Sequence, residues 1–118
     1  ELDNRKDYND ALGHLRGDEA LRGVAQAIDA SIRQDVDGGF RYGGDEFAVI
    51  LPYSDSAEAT EVAERIRGTF SDFGLTGTSL SIGQAEFDHE EQVDDFVTRA
   101  DSAMYFAKNS GGNRVHKA

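Results

Sequence analysis

The sequence has no cysteine. That excludes a disulfide framework and any thiolate metal site, and it agrees with a reducing compartment. Long apolar runs are also missing. Nothing approaches the roughly 18 consecutive residues of a membrane span, and no secretory n-region or h-region is present. Positive charge is scarce: 12 Lys and Arg face 23 Asp and Glu, for a net charge of −11. This is the wrong sign for gripping a nucleic-acid polymer by phosphate neutralisation. A protein so charged that handles phosphates needs its cations placed locally, as a bound metal or a few Lys and Arg side chains. An acidic surface that serves solubility alone is the plainer alternative.

What is present argues for one folded domain. At 118 residues the chain can bury a single core, and 38% hydrophobic residues in regular periods set it apart from a disordered tail. Glu1-Leu2-Asp3 reads as the end of a strand that starts upstream. After Gly17, the spacing of Leu21, Val24, Ala25, Ile28 and Ile32 predicts a helix, with Asp18 and Glu19 where acids favour its N-terminus. Phe40 and Tyr42 alternate before Gly43-Gly44, and Phe47, Val49 and Leu51 alternate after it. This is a hairpin that Pro52 closes. Asp55-x-x-Glu58 resembles a capping box ahead of the stripe Ala59, Val62, Ala63, Ile66 and Phe70. Leu80 and Ile82 mark a strand over 78–86. Val93, Phe96, Val97, Ala100, Met104 and Ala107 predict a third helix that stops at Gly111-Gly112, and a short strand follows over 113–116. The predicted order is β-α-β-β-α-β-α-β. That is an α+β sandwich, a central, mostly antiparallel sheet with helices packed on it, related to the ferredoxin-like split βαβ arrangement. No repeat, low-complexity tract or linker interrupts it.

The segment RYGGDEF, residues 41–47, carries the chemistry. A glycine pair can be ordinary turn punctuation, because glycine reaches positive φ without steric cost, and the acids after it can be solvated turn residues. The predicted topology, however, lays the first strand beside the hairpin. Glu1 and Asp3 then converge with Asp45 and Glu46. Four uncompensated carboxylates repel and raise one another's pKa, and a hard divalent cation such as Mg2+ relieves this while also accepting phosphate oxygens. Two such ions can activate an attacking hydroxyl and stabilise a phosphate in transfer. Glycines at the tip then let a nucleotide come close to the backbone.

Four blocks of the sequence, RYGGDEF, NDALGHLRGDEAL (9–21), Ser81-Ile82-Gly83 and ADSAMYFAKNSGGNRV (100–115), together resemble the GGDEF family of diguanylate cyclase domains. They run in the family's order and cover nearly the whole chain. The resemblance implies a palm-like fold and one GGDEF domain over 1–118 that lacks the start of its first strand. It implies condensation of two GTP into cyclic di-GMP and two pyrophosphates, by attack of a 3′-hydroxyl on an α-phosphate. Metal ligation falls to Glu1, the Leu2 carbonyl and Asp45, with Mg2+ or Mn2+ as the ion and two ions per site. Glu46 matches a second metal contact or the base that takes the 3′-hydroxyl proton. Lys6 and Lys108 match cations on the triphosphate, and His14 adjoins the substrate contacts. Asn9 and Asp18 match the pair that reads the guanine edge, where Asp18 can accept from N1 and N2 donors that adenine lacks. Implied partners are GTP, cyclic di-GMP, a transient second copy of the chain and an upstream sensory domain. The setting is the bacterial cytoplasm, with no nucleic-acid polymer and no direct membrane insertion by this segment.

Each residue also has a plain reading. Asp18 can be a first-turn acid, Asn9-Asp10 turn chemistry, His14 a packed loop histidine and Lys6 a surface lysine. Lys108 is favoured near a helix C-terminus by the dipole alone.

Four departures from the family pattern set a second expectation. Glu1 replaces the usual Asp, Arg5 an aromatic, and Gly112 an Arg. The inhibitory Arg-x-x-Asp motif keeps Asp37 but has Gln34 at the Arg position, with Arg33 one residue away. Glu1, Gly112 and the broken inhibitory motif suit a degenerate domain that binds GTP or cyclic di-GMP and regulates a partner without turnover, whereas Arg5 can add a phosphate contact or simply lose packing.

Overall fold

Two short strand pairs are joined through the first three residues of the chain. In the computed structural model, which describes residues 1–118, β1 (Gly38–Arg41) and β2 (Phe47–Ile50) form an antiparallel hairpin with Arg41 opposite Phe47. β3 (Ser81–Gln84) and β4 (Arg114–Lys117) pair in parallel, Ser81 opposite Arg114. Between the two pairs runs the segment 1–3. The Leu2 N–H donates to the Asp45 carbonyl at 3.1 Å, Asp3 N–H to Ser79 O at 2.8 Å, and Ser81 N–H to Glu1 O at 3.0 Å. Leu2 and Leu80 form an antiparallel bridge. The expected first strand is therefore present as a seam, and it sets Glu1 beside the hairpin tip.

Four helices pack on this frame: α1 (Arg5–Leu12), α2 (His14–Ser31), α3 (Ser56–Asp72) and α4 (Val93–Asn109). α3 starts as predicted. The Asp55 carboxylate accepts from the Glu58 N–H and the Glu58 carboxylate from the Asp55 N–H, both at 2.8 Å, so two orphan donors are satisfied reciprocally. Ile66 and Phe70 of α3 meet Leu21, Val24, Ala27 and Ile28 of α2 in one core that also takes in Leu2 and Leu80. α4 lies close on β3. A methyl on Gly83 would overlap the Ala100 carbonyl oxygen and the Met104 amide nitrogen, so glycine is required there by proximity. No helix is long and apolar enough to cross a membrane.

The α+β architecture agrees with the sequence, with one element added. Where the pattern predicted one helix before the hairpin, there are two, parted by Gly13 at φ 87°. α1 was hidden because it buries only Tyr8, too little to make a stripe. α2 begins at His14, and Asp18 sits in its second turn instead of at its N-terminus. Its first contacts to the interior come through Gly17 and Ala20, which carry no hydrophobic signal. In α4 only Ala103, Met104 and Ala107 are buried, while Val93 and Val97 stay exposed.

Candidate active site

Glu1, Leu2 and Asp3 present their oxygens to one lysine. Lys108, in the last turn of α4, places Nζ 2.8 Å from Glu1 Oε1 and 3.3 Å from Asp3 Oδ1, and donates to the Leu2 carbonyl at 3.1 Å. Burial pulls the Lys108 pKa down, but the Glu1 and Asp3 carboxylates outweigh it and hold the ammonium above its ordinary value. Partial burial likewise pulls Glu1 up, and hydrogen bonding to Lys108 and Glu46 brings it below the usual carboxylate range. Lys108 was expected on a triphosphate. The structure places it on protein oxygens.

Asp3 does not join the other acids. It is buried, and its carboxylate accepts from Ser79 Oγ and Ser81 Oγ at 2.7 Å and from the Asn113 N–H at 2.9 Å. These bonds overcome its burial and depress its pKa. The expected convergence of four carboxylates thus reduces to Glu1 with the tip acids Asp45 and Glu46. Asp3 instead ties the Gly111–Asn113 turn to the seam. Sequence reading missed this because its partners lie 76 to 110 residues away.

The hairpin tip is held from within. Arg41 donates to the carbonyls of Gly43 and Gly44, the shortest bond being 2.6 Å from Nη2 to Gly44 O. The Tyr42 and Gly43 N–H groups both donate to Glu46 O. Neither Gly43 nor Gly44 lies in the left-handed region, so the pair is not there for positive φ. Its service is space: a Cβ on Gly44 would stand 3.1 Å from Arg5 Nη1. Glu46 faces Glu1. Hydrogen bonding to the Glu1 carboxylate favours its protonated form and lifts its pKa, with some help from desolvation.

Two carboxylates in contact form a donor set of the right chemistry for a hard cation, and the neighbouring carbonyl of Leu2 already accepts from an ammonium. No point in the chain is surrounded by three acids or histidines. The set is therefore a partial shell, as suits an ion that completes its coordination with water and substrate phosphate. On these observations Glu1, Glu46 and the Leu2 carbonyl are of the right chemistry to hold a divalent metal, with Asp45 adjoining Glu46 in the hairpin tip.

The expected base-reading residues are neighbours. Asn9 of α1 packs directly over Gly17, where any Cβ would overlap Asn9 Oδ1, and that oxygen is buried without a hydrogen-bond partner. Asp18, the next residue, is exposed and lines an open cleft of about 490 Å³ with Leu21, Arg22, Phe40, Arg41 and Phe47. His14 and Lys6 are exposed on the first turns of α2 and α1. Below the hairpin, Arg33 forks onto Asp37 (Nη2 to Oδ1, 2.8 Å) and also donates to Pro52 O and Ser54 Oγ. The displaced Arg thus finds its Asp across four residues, and these bonds hold the Asp37 carboxyl below its ordinary value.

Residues 1–114 match the family described as diguanylate cyclase, GGDEF domain. Among curated relatives, the diguanylate cyclase DosC of Escherichia coli strain K12 is 40% identical over 122 residues, covering 98% of this chain and 26% of that protein. The chain thus spans about a quarter of that relative's length. Among solved structures, the coiled coil and GGDEF domain of DgcB from Caulobacter crescentus, in complex with c-di-GMP, superposes with a TM-score of 0.91 at 32% identity, over 100% of this chain and 66% of that one. Diguanylate cyclase SiaD of Pseudomonas aeruginosa, in complex with its activator SiaC, gives 0.85 at 34% identity over 100% and 47%.

Proposed function

This chain belongs to the diguanylate cyclase, GGDEF domain family, and from that membership we propose that it condenses two GTP into cyclic di-GMP and two pyrophosphates. The observation that carries the reading is the contact of Glu46 with Glu1 at the seam, next to the Leu2 carbonyl. Glu1, Leu2 O and Asp45 hold Mg2+ or Mn2+, two ions per site. Bound there, the metal would supply charge neutralisation on the phosphates and Lewis acidity towards the attacking hydroxyl.

Glu46 takes the 3′-hydroxyl proton. Its raised pKa makes it a stronger base than an ordinary carboxylate. Lys108 fixes Glu1 and the Leu2 carbonyl in position and balances their charge. Lys6 extends from the first turn of α1 as a cation for the triphosphate. Asn9 offers its unpaired Oδ1 and Asp18 its exposed carboxylate to the donors on guanine, and His14 borders the same nucleotide. One copy orients one GTP. Two copies facing across a two-fold axis therefore deliver each 3′-hydroxyl to the other's α-phosphate, which a transient homodimer provides. Control by an adjoining coiled coil or a separate activator, as the DgcB and SiaD structures contain, is part of this reading. So is a cytoplasmic setting.

Incubating the purified protein with GTP and Mg2+, followed by chromatography, tests the proposal. Cyclic di-GMP is the expected product. GTP binding without product would support the second reading, a regulatory module, which Glu1 and Gly112 in place of the family's Asp and Arg favour.

A further inference from the structure

Most arginines in this chain find partners, and Arg22, which has none, is exposed to solvent. Arg16, Arg33, Arg67 and Arg99 each pair with a carboxylate, and Arg41, Arg65 and Arg114 donate to backbone carbonyls. Arg5 is different. It enters none of these ion pairs, and its Nε is buried without a hydrogen-bond partner. A buried guanidinium donor left unmade is costly in a chain with so many acids. Its placement is also specific. Arg5 is the first residue of α1, behind an N-cap, Asn4, whose side chain makes no capping bond. Its Nη1 lies over Gly44 of the hairpin tip, where a Cβ would stand 3.1 Å away.

Arg5 precedes Asn9 by four residues, so the two share one face of the helix. The Asn9 Oδ1 is likewise buried and unpaired. Unsatisfied groups of opposite character thus stand one turn apart on α1. The acceptor packs against Gly17, next to Asp18, and the guanidinium lies over Gly44, which precedes Asp45 and Glu46 in the hairpin tip. A nucleotide laid along this face, base at Asn9 and reacting phosphate at the acids, carries its remaining phosphates past the α1 N-terminus. With Lys108 held by Glu1, Asp3 and Leu2 O, the first turn of α1 offers two cations that no protein oxygen claims, Lys6 exposed to solvent and Arg5 lying against the hairpin tip.

We propose that Arg5 is a phosphate ligand of the bound nucleotide, selecting a triphosphate over a monophosphate through its planar fork, and that Gly44 keeps the opening in which the fork sits. The inference rests on the reading of the site as a GTP site.

The test is calorimetric binding of 3′-deoxy-GTP, which lacks the attacking hydroxyl, and of GMP, to the protein and to its Arg5→Met and Arg5→Lys variants. Methionine keeps an unbranched apolar stem, so the melting temperature reports whether the fold survives. Loss of charge-assisted bonds should weaken the triphosphate about tenfold or more in Arg5→Met, with GMP changed by less than about twofold. Arg5→Lys should recover part of the loss. Equal binding of 3′-deoxy-GTP by protein and Arg5→Met, or equal weakening of both nucleotides, overturns the role of Arg5 alone. Failure of the unaltered protein to bind 3′-deoxy-GTP overturns the GTP site itself, and this inference with it.

Discussion

Lys108 Nζ stands 2.8 Å from the Glu1 carboxylate and donates to the Leu2 carbonyl, although 106 residues separate the lysine from Leu2. Lys108→Met keeps most of the stem and removes the ammonium. Glu1 then loses the hydrogen bond that does most to hold its pKa down, and the Asp3 carboxylate loses one of its donors. A stability loss of about 1–3 kcal/mol in urea denaturation is expected, together with loss of turnover. A change within about 0.5 kcal/mol, the scatter of an ordinary surface substitution, would show that the lysine is not needed to balance the seam.

Asp3 gives the fold an acid-sensitive joint. Its folded pKa is depressed below the ordinary 3.8 by the Ser81, Asn113 and Ser79 hydrogen bonds, which outweigh burial. The stabilisation it gives is therefore complete above that ordinary value and declines as pH falls through the folded value. Melting curves from pH 6 to about pH 2 should show this decline. In Asp3→Asn the stability near neutrality should be lower and the acid slope shallower. An unchanged slope would assign acid sensitivity to other carboxylates.

Gly112 answers a question the sequence raised. The residue sits at φ +69°, and a Cβ there would lie 3.0 Å from Asp3 Oδ2. Restoring the arginine that the family pattern places here should therefore not help. Gly112→Arg is expected to cost about 1–2 kcal/mol for the left-handed backbone alone, with further strain against Asp3. Higher activity at unchanged stability would mean that the turn adapts and that an arginine was the missing cation.

At the hairpin tip, Glu46→Gln keeps the shape of the side chain and removes its capacity to take a proton. The expected result is a fall in kcat of about 10²- to 10⁴-fold with nucleotide binding retained. Asp45→Ala with Glu46→Ala should abolish turnover and leave the melting temperature near that of the parent, because Arg41 and the strand register hold the tip without these side chains. Normal synthesis of cyclic di-GMP by the double variant would remove both acids from the mechanism.

Much of this was legible in the sequence where a local rule decides the structure. The Asp55–Glu58 box needs only four consecutive residues, and the hairpin only alternation about a glycine pair. The RYGGDEF tip alone fits an ordinary turn with solvated acids, and it pointed to a site only jointly with the three other blocks in the family's order. What stayed hidden was set by distance or by small residues. The role of Asp3 depends on serines and a turn far along the chain. The start of α2 packs through Gly17 and Ala20, whose contact value lies in what they lack. The glycine pair was legible as a turn, but of its two expected causes positive φ does not apply, since its backbone stays outside the left-handed region and a Cβ on Gly44 would crowd Arg5. The parallel pairing of β3 with β4 follows from α4 crossing between them, which no strand pattern records.

The absence of a side chain at Gly83 has a reach beyond its own contact. It lets α4 settle on β3 with Ala100 and Met104 against the strand backbone, and Lys108 follows Met104 by one helical turn, a rise of about 6 Å. The helix thus works as a ruler whose zero mark is a hydrogen atom on β3 and whose far graduation is an ammonium on Glu1. The charge balance of the seam is calibrated by steric fit at a residue that touches none of the acids.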